Sequence, residues 1–153
     1  MANPFPFTAG QVLTAAQLNG IGEAWTSYTP TITQVATITK TIQECRFTQI
    51  NKLVFIKGHI TLTSAGTAGN SIAVTYPSGL SPTNVTGVFS PSAGAGGFYD
   101  ASSAVQYNLT VQTAPTGFGF YADGTGGSYF GQFPAVTVAN NDLLFFFLCY
   151  EVA

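Results

Sequence analysis

Charge is what this sequence has least of. Of its 153 residues four are Lys or Arg and six are Asp or Glu. That is 7% of the chain, against about 25% in an ordinary soluble domain. The net charge is −2, and no run of basic residues occurs. A stripe that neutralises phosphates is therefore excluded, and nucleic acid with it. So sparsely charged a surface is poorly soluble as a free monomer. Burial in an oligomer or a larger assembly is expected.

Long apolar runs are also missing. The longest, Leu143 to Leu148, has strand length and falls far short of a membrane-spanning helix. The N-terminus lacks the basic and apolar regions of a signal peptide. Membrane insertion and export are thus not expected. Cys45 and Cys149 are read as two buried thiols rather than a disulfide.

Chemistry-bearing residues are scarce too. One histidine and two cysteines give no spacing that suits zinc. The carboxylates Glu23, Glu44, Asp100, Asp123, Asp142 and Glu151 are scattered, so no acid/base pair is visible. Asp123 to Gly127 reads as a tight turn, and calcium there would need more oxygen ligands from elsewhere. No cofactor, metal or catalytic residue is assigned, and a non-enzymatic protein is expected.

What is present is a strand pattern. Glu44 to Thr63 reads as two strands joined at Asn51-Lys52, because Asn tolerates the positive φ of a two-residue turn. Ile50 then faces Leu53, Phe47 faces Ile56 and Cys45 faces Gly58. The alternate set pairs Thr48 with Phe55, Arg46 with Lys57 and Glu44 with His59. Val54, Ile56, Ile60 and Leu62 share the face of Cys45 and Phe47, which predicts that Phe47 and Ile56 are buried. Glu44, Arg46, Thr48, Lys57 and His59 fall on the other face. A one-residue slip would bury the charges, so the pattern fixes the register. Arg46 against Lys57 is unfavourable, and Glu44 lies diagonally placed to relieve it. His59 beside Glu44 could orient a general base, but no nucleophile is assigned near it.

Residues 1–24 differ from the rest. Two prolines make Asn3 to Phe7 extended. Thr14 and Gln17 form a capping box, with Leu13 and Leu18 as its staple, which predicts a helix over about Ala15 to Asn19. Neither piece is stable unsupported. The segment is either a cap on its own domain or an arm held by another protein, or by a neighbouring protomer, through Phe5, Phe7, Val12, Leu13 and Leu18.

Residues 25–153 read as one domain of about nine or ten short strands between turns. Strands are expected over Thr31–Thr39, Ser71–Tyr76, Asn84–Ser90, Gly97–Ala101, Val105–Gln112, Gly117–Tyr121, Ser128–Phe133 and Leu143–Val152. The fold class is all-β, a jelly-roll-like antiparallel β-sandwich with a short N-terminal arm and helix. In the last strand Leu144, Phe146, Leu148, Tyr150 and Val152 occupy one face and Leu143, Phe145, Phe147 and Cys149 the other. Such a strand either lies between two layers or turns one face to another subunit. Phe118, Phe120, Tyr121, Tyr129 and Phe130 form an aromatic, Gly-rich group that serves packing, a subunit interface or a ligand.

The stretch Phe7 to Asn19 resembles the N-terminal motif of tailed-bacteriophage virion proteins. So do Trp25 to Thr31 and Arg46 to Val54. Gln17 and Cys45 depart from that pattern, which has an acidic residue and a glycine there. The resemblance covers roughly the first 63 residues. It implies an anchor, a lead-in strand and the first hairpin of a trimeric β domain. The expected protein is a homotrimeric virion appendage, assembled in the host cytoplasm and docked to another virion protein through residues 1–24. Head decoration or head fibre comes first, since 153 residues leave no long shaft. The alternative is a tail or baseplate fibre that binds a host-surface glycan.

Overall fold

The computed structural model describes residues 10, 12, 14, 15, 24–83, 85, 92–122 and 128–153. All ten elements among the described residues are strands. They are β1 (Thr26–Ser27), β2 (Ile32–Gln34), β3 (Ala36–Ile38), β4 (Lys40–Ile50), β5 (Leu53–Leu62), β6 (Ala73–Thr75), β7 (Ser92–Asp100), β8 (Val105–Ala114), β9 (Gly117–Ala122) and β10 (Leu143–Glu151). They pair antiparallel in the order β1-β4-β5-β10-β7-β8-β9-β6-β2-β3. β3 passes into β4 through Thr39 alone. The strand at one end of the order is thus continuous with a strand near the other end. The sheet curls back over itself and encloses a core, as the all-β, jelly-roll-like expectation requires.

The β4–β5 hairpin has the register that its residue alternation predicts. Ile50 pairs with Leu53, Phe47 with Ile56, Cys45 with Gly58, Arg46 with Lys57 and Glu44 with His59. Asn51 takes φ 55° in the turn. Val54, Ile56, Ile60 and Leu62 are fully buried, each worth about 1.5–3 kcal/mol relative to exposure. Phe47 is only half-buried, because it lies at the margin of the core with Tyr28 packed edge-on at 5.9 Å. Thr48, expected on the polar face, is buried opposite Phe55.

β10 lies between β5 and β7. Leu144, Phe146, Leu148 and Tyr150 enter the core. The Phe146 ring crosses its ladder partner Gly58, where a Cβ would collide with it. A glycine in the middle of an apolar strand is thereby explained. Phe98 of β7, Leu109 and Val111 of β8, and Phe118 and Phe120 of β9 complete this interior.

Three expected elements differ. The single strand over 31–39 is a hairpin, because Val35 takes φ 69° and reverses the chain between β2 and β3. Residues 128–133 form no strand, and Gln132 N and Phe133 N both turn back to Tyr129 O. β7 starts at Ser92, five residues before the expected Gly97. The expected strand over 84–90 lies outside the described residues apart from Val85, as does the helix over 15–19 apart from Ala15.

Side chains hold the loops that close the other end. Gln34 is fully buried. Its Nε2 donates to Asn70 O at 2.9 Å and to Val136 O at 2.7 Å, and its Oε1 accepts from Val138 N at 3.0 Å. Asp142 is also fully buried. It accepts from Ala101 N at 2.9 Å and Ala139 N at 2.7 Å.

Candidate functional site: the outer face of β4, β5 and β10

Because β10 and β5 point their even-numbered residues inward, their odd-numbered ones share the outer face. In register these are Phe145 with His59, Phe147 with Lys57, Cys149 with Phe55 and Glu151 with Leu53. β1 brings the preceding Trp25 to the same place by pairing Thr26 with Phe47 and Ser27 with Arg46. Phe147 is 50% exposed and Trp25 36%. Ile50 and Leu53 at the hairpin tip are exposed as well.

Few charges interrupt this surface, and they are tied to one another. Lys57 Nζ lies 2.7 Å from Glu44 Oε1, while Arg46 Nε is 3.8 Å from the same oxygen. Glu44 thus sits between two cations that would otherwise repel across the ladder. The Lys57 hydrogen bond foremost holds the Glu44 carboxyl below its ordinary range, with Arg46 and His59 adding to it. Lys57 Nζ also lies over the Trp25 ring, 5.0 Å from its centroid, a cation–π arrangement. His59 stacks on Phe145 with ring centroids 4.8 Å apart.

The polar groups of this face are engaged with one another and with its rings. The Glu44 carboxylate is engaged by Lys57, and the imidazole lies flat on a phenyl ring. Nucleophilic attack by a thiol needs the thiolate, and burial disfavours that form at both cysteines. Burial pushes Cys45 up to about 11, and burial raises Cys149 as well. The two cysteines are free, and they point to opposite faces of the sheet: Cys45 pairs with inward Gly58 and Cys149 with outward Phe55. Among the described residues no group of three or more His, Cys, Asp and Glu could hold a metal. The 123–127 turn lies outside the described residues.

A cavity of about 310 Å³ opens where β1 leaves β4, lined by Ser27, Tyr28, Thr29, Ile42 and Gln43 through Arg46. The β4 bulge between Ile42 and Glu44 shapes it. Gln43 closes the bulge with its own side chain, donating from Nε2 to Thr61 Oγ1 at 2.7 Å and accepting from Thr61 N at 3.0 Å.

The other expected sites divide. Of the five docking residues only Val12 is described, and it is 85% exposed; Phe5, Phe7, Leu13 and Leu18 lie outside the described residues. Of the five aromatics, Phe118, Phe120 and Phe130 are core side chains. Alternation along β9 sends the first two inward, and Phe130 packs on Phe98 and Tyr107. These three present no ring to a ligand or a neighbouring chain. Tyr121 and Tyr129 lie together on the opposite face, centroids 4.3 Å apart. Comparison of the chain with protein-family models, curated proteins and solved structures finds no match.

Proposed function

We propose that this chain is a non-enzymatic structural protein of a tailed-phage virion. It is an exposed homotrimeric appendage of the head-decoration or head-fibre type, docked to the particle by residues 1–24. One observation carries this reading. Two of the three stretches that resemble virion proteins, Trp25 to Thr31 and Arg46 to Val54, pair with each other in space. They border the apolar outer face of β5 and β10. A face with Phe147, Trp25, Leu53 and Ile50 exposed is the kind that protein association covers. It suits the contact between protomers, and the arm is left for the particle.

Two variants separate these roles. Phe147→Glu places a carboxylate opposite Lys57, which can accept it, so the fold is expected to survive while the oligomer dissociates to monomers by light scattering. Deleting residues 1–24 is expected to leave a folded oligomer that no longer joins particles. A wild-type monomer at micromolar concentration overturns the trimer. A truncated protein that still joins particles at full occupancy overturns the anchor.

A further inference from the structure

The outer face of β4, β5 and β10 holds the one histidine of the sequence, His59. Imidazole is the side chain that ordinarily changes charge between pH 5 and 8. His59 is half-buried, with its ring stacked on Phe145. It stands in the middle of the face and not at its margin, since β5 has β4 on one side and β10 on the other.

The charges around it are few and unequal. Across the ladder on β4 stands Glu44, with Arg46 beyond it on the same face, opposite Lys57. On the other side the row runs through Phe145 of β10 to Gly97 of β7, neither of which carries a charge. Glu151 also turns outward on β10, but it pairs with Leu53 at the far end of the strand. One carboxylate therefore serves this patch. Its Oε1 already lies 2.7 Å from Lys57 Nζ and 3.8 Å from Arg46 Nε. Two cations against one anion leave one positive charge in excess, and an imidazolium at His59 raises the excess to two.

That third cation matters most when the face is covered. A charge taken out of water is costly unless an opposite charge meets it. A neutral imidazole lying on a phenyl ring can be covered at little cost. An imidazolium there finds the local carboxylate engaged, and every copy of the chain brings the same excess of positive charge. In a lone protomer the half-buried ring keeps its access to water. Other groups near the face hold their charge in this window. The Lys57 hydrogen bond foremost keeps the Glu44 carboxyl below its ordinary range, and burial keeps both thiols protonated. Burial raises the Asp142 carboxyl, but Asp142 is fully enclosed and bonded to Ala101 N and Ala139 N.

We propose that His59 makes association through this face pH-dependent: protomers assemble while the imidazole is neutral and separate when it is protonated. The inference rests on the reading that copies of this chain meet on this face. Because the assembled form takes the neutral ring, the dissociation constant rises as pH falls.

Sedimentation velocity on the full chain at about pH 7.5 and about pH 5.5, at one ionic strength, tests it. Wild type is expected to be oligomeric at the higher pH. At the lower it should associate about tenfold or more weakly, with its circular-dichroism spectrum unchanged. His59→Gln is neutral at both pH values and is expected to assemble alike at both. His59→Lys is charged at both and is expected to be as weak at the higher pH as wild type is at the lower. If His59→Gln fails to fold, His59→Lys decides, and assembly like that of wild type at the higher pH overturns the proposal. Wild type that assembles equally at both pH values overturns the switch and leaves the interface standing. A pH dependence that persists in His59→Gln overturns it too, since another group then titrates. So does dissociation accompanied by loss of the β-sheet spectrum. Wild type that is monomeric at the higher pH overturns the shared face and the switch together.

Discussion

The half of the sheet built on β4, β5 and β10 and the end built on β9, β6, β2 and β3 are held by different forces. The first has strands of 11, 10 and 9 residues. Its stability comes from a long main-chain ladder and strict alternation of buried and outward side chains. At the second, β2, β3 and β6 have three residues each, and the chain beside them runs as loops. There Gln34 does what a ladder does elsewhere, tying Asn70, Val136 and Val138 to β2 with three hydrogen bonds. A polar hub can replace a strand only when each buried polar atom is satisfied. The ladder half tolerates an open outer face, on which Phe147 and Trp25 are exposed.

The largest effect expected is in the ladder half. Ile56 is fully buried between Phe47 and Leu148 in register. Ile56→Asp loses that burial and places a carboxylate without a partner in the core. It is expected to cost about 4 kcal/mol or more, enough to unfold most single domains of this size. Urea melts followed by tryptophan fluorescence measure it. A midpoint close to wild type would mean that this strand can slip its register by one residue.

Gln34→Leu is the matching test of the loop end. It removes three hydrogen bonds and leaves Val138 N and two carbonyls unpaired, at a cost of about 3 kcal/mol. The two ends are then distinguishable by hydrogen exchange. In Gln34→Leu the amides of Gly66 and Val138, which lie on the loops the glutamine ties, should exchange faster well before those of β5 do. Uniform acceleration over the chain would show that the ends unfold as one unit.

The same contrast governs what could be read from the residues. The hairpin register was legible because Ile56 and Lys57 alternate in hydrophobicity and Asn51 supports the turn. That Phe145 and Phe147 share one face of β10 followed from the same alternation, but not that this face is the outward one. The β2–β3 reversal was not legible, because it turns on Val35 at positive φ, a conformation rarely taken by β-branched residues. The start of β7 was hidden by its glycines, which disfavour strands. They are required there because a Cβ on Gly94 or Gly96 would meet the backbone of β10. Gln34 gave no signal, since its partners lie 36, 102 and 104 residues away. The aromatic group of Phe118, Phe120, Tyr121, Tyr129 and Phe130 was half legible: its rings stood out, but which of them would point inward depended on the β9 register.

Glu44→Gln gives the smallest effect and sharpens the idea that the outer face contributes little to folding. Both partners of the Glu44–Lys57 pair are well exposed, so water and salt screen it. The melting temperature at pH 7 should fall by no more than a few degrees, and added salt should shrink the difference. The pH dependence follows from the sign of the shift. The Lys57 hydrogen bond foremost lowers the Glu44 carboxyl in the folded state. Its contribution is therefore fully present above the ordinary carboxylate range and is lost as pH falls through the lowered value. The gap between wild type and Glu44→Gln should be widest near neutrality and should close in acid. A gap that widens on acidification would mean that the carboxylate destabilises the fold. A large gap at pH 7 that salt leaves unchanged would mean that this face stabilises the monomer as well as its contacts, and the contrast between its two roles would then fail.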